Sequence, residues 1–237
     1  MNRVEGELCF VLHIRPYRDT SALVNLFSPN YGRFTCVAKG LRGASRSRQS
    51  WRAALQAFNL VSVSWQGRGE LKSLIDAQHQ QTFSLQGKAL FCGLYVNELL
   101  ERLLHQHDPQ IDVFVLYTQC LTQLAVGEDL ETSLRCFEFG LLDVLGYGLN
   151  FSVCHRTGSA IVAEQSYRFL VGEGLVLAEE ASEAVFSGEV LLQLARGGFN
   201  RDTLPAAKRL ARLALLPLLG GKPLRSRALF APASKAK

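Results

Sequence analysis

Val37-Ala38-Lys39-Gly40-Leu41-Arg42-Gly43-Ala44-Ser45-Arg46-Ser47-Arg48 carries the chain from an apolar strand into a glycine- and serine-rich loop whose every charge is positive. Residues 20–69 around it hold seven basic side chains, Arg33, Lys39, Arg42, Arg46, Arg48, Arg52 and Arg68, and no Asp or Glu. Such a loop can lay cations and backbone N–H groups along a phosphate chain, with counterion release driving the binding. A solvated hairpin tip kept soluble by its arginines accounts for the loop alone equally well. The rest of the chain decides between the two.

On either side of the loop the pattern is that of strands. Residues 6–14, 22–27, 33–38, 60–65 and 71–83 alternate or run apolar, with β-branched and aromatic enrichment. Arg15-Pro16, Ser28-Pro29-Asn30-Tyr31-Gly32 and Gln66-Gly67-Arg68-Gly69 punctuate them with turn chemistry. Five short strands with one long basic insertion over residues 40–58 predict a small closed barrel of the OB type, whose face and loops hold nucleic acid. After Gln86 the period becomes helical: apolar stripes cover residues 90–104, 111–125 and 130–145, the last two stopped by Gly127 and Gly146. Together they read as a helical bundle. Residues 167–171 and 174–178 suggest a hairpin, and Ser187 caps a short helix. Asp202 or Thr203 opens a last helix with Pro205 in its first turn, and Pro217 kinks or shortens it. The fold class is α+β: a five-stranded OB-fold barrel over residues 1–85, then an α-helical domain over 86–237 with a small irregular or hairpin insertion and a basic tail.

The net charge is +5, and its distribution says more than its total. Residues 1–19 are neutral and residues 20–69 carry +7. Residues 70–202 carry −10, and residues 203–237 carry +8 with no acid at all. Two positive segments thus flank an acidic middle. An apolar fraction of 48% supports real cores and excludes a disordered chain. The acidic opening Met1-Asn2-Arg3-Val4-Glu5-Gly6-Glu7 does not read as a secretory signal, and no apolar run reaches membrane-spanning length. Six singly scattered cysteines suit buried hydrophobes in a reducing compartment better than a disulfide framework. The expected location is cytoplasmic, at the nucleoid.

No enzyme is read from this chain. The five histidines show no helical pairing with acids, and Gly220-Gly221-Lys222-Pro223 lacks the upstream glycine spacing of a phosphate loop. Cys154-His155 has no further Cys downstream to complete a tetrahedral metal site, so no metal or other cofactor is assigned. In the helical half, Arg135 beside Leu134 and Leu141, with Lys208, Arg209 and Arg212 beside Leu213 and Leu216, reads in two ways. One is a set of surface cations on helix cores. The other is a mixed basic and apolar pocket suited to an acidic peptide ending in an aromatic residue. Two other classes stay open: a protein–protein adaptor with only weak DNA binding, and a nuclease, which needs clustered carboxylates that the basic barrel lacks.

These residues resemble the bacterial RecO family of recombination mediators over most of the chain. The matching stretches include Val11-Leu12-His13 with Arg15-Pro16-Tyr17, Val37-Ala38-Lys39-Gly40 with Arg42, and Gly67-Arg68-Gly69-Glu70-Leu71-Lys72. Leu134-Arg135 with Phe137-Glu138, Leu145-Gly146-Tyr147-Gly148 and Leu219-Gly220-Gly221-Lys222-Pro223-Leu224 follow in order. Each is weak alone, and the order makes them specific. The resemblance implies an OB barrel followed by a helical domain. It also implies binding of single- and double-stranded DNA, annealing of complementary strands, and engagement of the acidic C-terminal tail of the single-strand binding protein SSB. With RecR as partner, such a protein helps RecA replace SSB on single strands. Some members carry a four-cysteine zinc site after the Leu-Gly-Tyr segment; only Cys154 stands there in this sequence, and zinc is not carried over.

Overall fold

The structure, a computed structural model, describes residues 3–43, 46–178 and 185–230. Five strands, β1 (Arg3–Tyr17), β2 (Ser21–Ser28), β3 (Gly32–Ala38), β4 (Asn59–Gln66) and β5 (Leu71–Thr82), close into a barrel in the order β1-β2-β3-β5-β4. All neighbours are antiparallel except β3 and β5, which run parallel with Thr35 opposite Leu71 and Val37 opposite Ser73. That is the OB arrangement expected from the sequence. Strict alternation sends Phe34, Cys36 and Ala38 of β3, and Val61, Val63 and Trp65 of β4, into the lumen. Burial pushes the Cys36 thiol up to about 12, so it packs as an apolar filler.

The segment read as one long basic loop is half scaffold. Its second part forms a 3-10 turn (Arg46–Arg48) and a short helix, α1 (Gln49–Ala54). Trp51, Ala54 and Leu55 from it, with Leu41 before it, join the barrel core. Asn59 donates from Nδ2 to the carbonyls of Ala53 and Ala54, holding the last turn of α1.

β1 departs from alternation. Cys9, Phe10, Val11 and Leu12 are all buried, because one face lines the barrel and the other lies under helices. The helices are α2 (Gly87–Leu103) and α3 (Ile111–Val126). Phe10 meets Phe114 and Tyr117 with ring centroids 4.9 and 4.8 Å away. The β1–β2 register shifts between Val11 and His13, which leaves Leu12 as a bulge. Its carbonyl accepts from Asn97 Nδ2 at 2.8 Å, and Asn97 Oδ1 accepts from the Tyr117 hydroxyl at 2.6 Å, both out of water.

The chain divides into two compact units: residues 3–128 with residues 224–230, and residues 129–223. The first contains the barrel, α2 and α3, and the third predicted helix, α4 (Leu130–Val144), belongs to the second. The second holds α4, a sheet in the order β7-β6-β8, α5 (Gly188–Ala195) and α6 (Leu204–Leu218). The predicted hairpin is β6 (Ser166–Leu170) and β7 (Gly174–Leu177); β8 (Val185–Ser187) was not foreseen, being only three residues long. Ser187 does cap α5, accepting from the Val190 N–H. Pro205 stands in the first turn of α6 and Pro217 in its last. No described helix is long and apolar enough to cross a membrane.

Residues 224–230 return to α2. Glu98 accepts from the backbone N–H of Arg225 and Ser226, each at 2.8 Å, and from the Ser226 hydroxyl at 2.6 Å. Phe230 meets Phe91 edge-on with centroids 6.0 Å apart. Partial burial raises the Glu98 pKa, but the Ser226 and Arg225 hydrogen bonds outweigh it and hold the carboxyl below its ordinary 4.5. A depressed folded-state pKa means that the clasp contributes in full above the unfolded value of 4.5 and is lost as the pH falls through the lower folded-state value. Glu98→Ala is expected to lower the unfolding free energy by about 1 kcal/mol, the discount reflecting partial solvation. Trypsin at mildly alkaline pH then cleaves first after Arg225 and Arg227 in the variant but not in wild type; an unchanged tryptic map removes the clasp as the anchor of this segment.

Candidate nucleic-acid interface

The barrel presents its cations at one end, where the β1–β2 turn meets the segment after β3. The Arg42 N–H donates to the Thr20 carbonyl at 2.8 Å, and Gly40, at φ +70°, turns the chain back so that the Gly43 N–H reaches the Gly40 carbonyl. Arg52 Nη1 reaches from α1 to the carbonyls of Leu41 at 3.2 Å and Gly43 at 2.7 Å. It therefore shapes the loop rather than leading into solvent. Lys39, Arg42 and Arg46 are exposed, and Arg48 lies over the Trp51 ring at 3.8 Å with its charge at the surface.

Two further cations stand here that the charge map missed, Arg15 and Arg18, both exposed. Their segment sums to zero because Glu5, Glu7 and Asp19 offset them. Yet Glu5 is bound to Arg3 at 2.7 Å, and Glu7 accepts from Ser28 and Asn30, towards the far end of the strand. The register reveals the pair. Arg15 lies opposite Leu23 and Leu23 opposite Val37, while Tyr17 lies opposite Ser21. By alternation Arg15, Tyr17 and Lys39 share the outward face of the β1-β2-β3 sheet.

Arg33 and Arg68 do not join them. Leu71 pairs with Thr35, so the β4–β5 turn carrying Arg68 lies beside the first half of β3, whereas Lys39 follows its last residue. Arg33 is half-buried, donating to the Leu104 carbonyl from Nε and Nη2 at 3.4 and 3.3 Å while its own carbonyl accepts from the His107 N–H. Burial lowers its pKa against the pull of Glu101. It ties β3 to the α2–α3 connection. Gly32 beside it is needed as glycine: φ is +62°, and a Cβ there runs into the Asp108 backbone.

The helices also cover part of the face that OB folds present to oligonucleotides. Asn25 on β2 donates to Glu101 of α2 at 2.8 Å, and Phe27 meets Phe114 of α3 at 5.6 Å. What stays open on β1, β2 and β3 is the end bearing Arg15, Tyr17 and Lys39.

In the second unit the predicted peptide site comes apart. Arg135 is an inner residue, its side chain 6% exposed, bound to Glu138, 1% exposed, at 2.8 Å across one turn of α4. Leu134 and Leu141 are buried beside it. Arg209 lies over the Phe186 ring at 4.0 Å and donates to the Val185 carbonyl, fastening α6 to β8. Lys208 reaches Glu131 of α4 at 2.8 Å on the surface. Lys208, Arg212 and Leu216 fall on one side of α6 at four-residue spacing; Arg212 is exposed and Leu216 is 50% exposed. A cavity of about 480 Å³, lined by Tyr147, His155, Phe169, Ala214 and Pro217 among others, opens towards the other side of that helix. Cys154 lies in the tight Cys154–Ser159 turn, its thiol drawn down mainly by the Thr157 hydroxyl, and among the described residues no three His, Cys, Asp or Glu side chains gather as a metal-ligand set.

Two family models match consecutive parts of the chain: "Recombination protein O N terminal" over residues 1–83 and "Recombination protein O C terminal" over residues 84–228. The DNA repair protein RecO of Actinobacillus pleuropneumoniae serotype 7 (strain AP76) is 43% identical over 224 residues, spanning 93% of this chain and 92% of that protein. The DNA repair protein RecO of Haemophilus influenzae (strain PittGG) is 42% identical over 223 residues, 93% of each. That of Actinobacillus succinogenes is 42% identical over 224 residues, 94% of this chain and 93% of the relative. A closed OB barrel with a cationic end, matched in both halves by these models and along nearly its whole length by these relatives, belongs to the RecO family.

Proposed function

We propose that this protein is a DNA-binding recombination mediator in DNA repair, holding single and double strands at the cationic end of its barrel. The observation that carries this is the meeting of Arg15, Arg18, Lys39, Arg42, Arg46 and Arg48 from two separate segments at one barrel end, where Asp19 of the β1–β2 turn offsets a single charge and Glu5 and Glu7 lie towards the other end of β1. Cations on a rigid frame neutralise phosphates and release counterions without reading sequence. Screening two complementary strands at once also lets them anneal, a passive process that needs no nucleotide. Membership of a family whose relatives are DNA repair proteins supports the same reading.

The SSB tail, RecR and RecA enter on that family footing. For the tail, the surface of α6 with Lys208, Arg212 and Leu216 is the best-placed patch, offering cations for carboxylates beside an apolar contact. Arg135 acts behind it, as an inner brace of α4. Docking of the tail on the second unit leaves the barrel end available for the strand that SSB releases, and RecR then acts with the protein in loading RecA.

Titration of labelled DNA at several salt concentrations tests the interface. Removing Lys39, Arg42 or Arg46 is expected to weaken all sequences alike and to flatten the slope of log K against log salt by roughly one each. Arg68→Ala leaves both unchanged, and a variant lacking all six cations that still binds wild-type fashion defeats the proposal. For the tail, Lys208→Ala and Arg212→Ala each weaken an isolated SSB tail peptide by about 0.5–1.5 kcal/mol in fluorescence anisotropy, the worth of solvated charged contacts. Arg135→Ala should act on stability instead. It leaves Glu138 charged and buried, and urea unfolding is expected to show a loss of about 3–5 kcal/mol, while replacing both partners by apolar residues recovers most of it.

A further inference from the structure

We infer that Tyr17 is a base-stacking platform, so that the barrel end distinguishes single strands from duplex; the inference rests on the DNA-binding reading of that end. Three aromatic rings lie near the outer parts of the barrel, and only one is suited. Trp51 is 5% exposed and has its face under Arg48, so no base reaches it. Tyr31 is 41% exposed but stands in the β2–β3 turn, edge-on to Trp65 at 5.1 Å, at the end away from the cations. Tyr17 is half-buried, shares the outward face with Arg15 and Lys39, and ends β1 just before the turn whose Thr20 carbonyl accepts from Arg42.

The chain around it is shaped to present the ring. Its backbone pairs with Ser21 at the last rung of the β1–β2 ladder, so the sheet sets the face from which the ring projects. Arg18 follows at φ +52°, the left-handed region that an arginine seldom adopts, and this bend places its guanidinium over the Tyr17 ring at 5.1 Å. A guanidinium at that distance is a loose cover. A nucleobase takes the ring face with a larger contact area, and Arg18 then lies beside the phosphate that follows the stacked base. Phosphates bind on Lys39, Arg42 and Arg15 around the ring. In a duplex the bases are already stacked inside the helix and the ring finds only the sugar–phosphate surface, so the duplex draws on the cations alone.

The test separates the stacking from the cations. Tyr17→Ala is expected to lower single-strand affinity by roughly 5- to 100-fold, and to leave duplex affinity within about twofold. Tyr17→Phe keeps the single-strand value, because the ring and not the hydroxyl does the stacking. An abasic oligonucleotide of equal length, with the same phosphates and no bases, supplies the complement: wild type binds it as weakly as Tyr17→Ala binds ordinary DNA, and the variant loses nothing further on it. Urea midpoints run beside the titrations show that the variants are folded. If Tyr17→Ala lowers single-strand and duplex binding equally, the ring only braces the turn and the inference falls. It falls too if single-strand affinity is unchanged while loss of Lys39 and Arg42 weakens both DNAs, and the DNA-binding reading then stands without it. If neither the ring nor the cations matter, the reading of this barrel end fails with it.

Discussion

The hydrogen bond from Asn97 to the Leu12 carbonyl is the contact on which the arrangement of the first unit depends. A bulge in β1 frees that carbonyl from the ladder, and a freed carbonyl out of water must find a donor. Asn97 on α2 supplies one, and Tyr117 on α3 completes the amide in turn. A single irregularity in one strand thereby fixes two helices on the barrel. Because the buried amide and phenol are satisfied by these bonds, polar satisfaction ties the register of helix to sheet, and Phe10, Phe27 and Phe114 pack around it.

That docking has a consequence for the surface. With Asn25 held by Glu101, and Arg33 by the Leu104 carbonyl, the middle of the sheet face and one of its arginines are committed to the fold. Of the remaining cations, Arg15, Arg18, Lys39, Arg42, Arg46 and Arg48 collect at the barrel end where the β1–β2 turn touches the segment after β3, and Arg68 does not. Arg52 belongs to both groups in a sense: it carries the same charge as its neighbours, but spends its hydrogen bonds inward, on the carbonyls of the very loop that displays them. A positive loop repels itself, and a guanidinium bound to its carbonyls is one way to hold it in a single shape.

The barrel was legible in the sequence because period-2 alternation, turn residues and strand lengths all agree over the first eighty residues. Arg135 was not legible. Its neighbours form an apolar stripe, and nothing in a one-dimensional pattern says whether an arginine among them is a rim cation or a buried partner; Glu138 three residues on was the only sign, and i,i+3 pairs are as common on surfaces. Arg15 and Arg18 were hidden for a different reason. Segment charge averages over residues that a strand holds about 3.3 Å apart along its length, and Glu5 lies more than thirty ångströms of extended chain from Arg18 by that measure. Short connections between helices do not say which face each helix buries, and α2 and α3 give theirs to β1 and β2. Charge, in short, was read along the chain, while the site is assembled across it.

The return of residues 224–230 to Glu98 gives the first unit a peculiar birth order. Its barrel and two helices are complete by residue 128, but the segment that closes over α2 comes ninety-five residues later, after the whole second unit has been made. On a ribosome the barrel can therefore close and bury its core early, from contacts of modest sequence separation, while the face of α2 around Phe91 and Glu98 waits uncovered. The second unit is made between these two parts of the first, and Ser226 follows it in the chain to meet the carboxylate. The last contact of the first unit to form is thus set by chain order, and a single acidic side chain receives it.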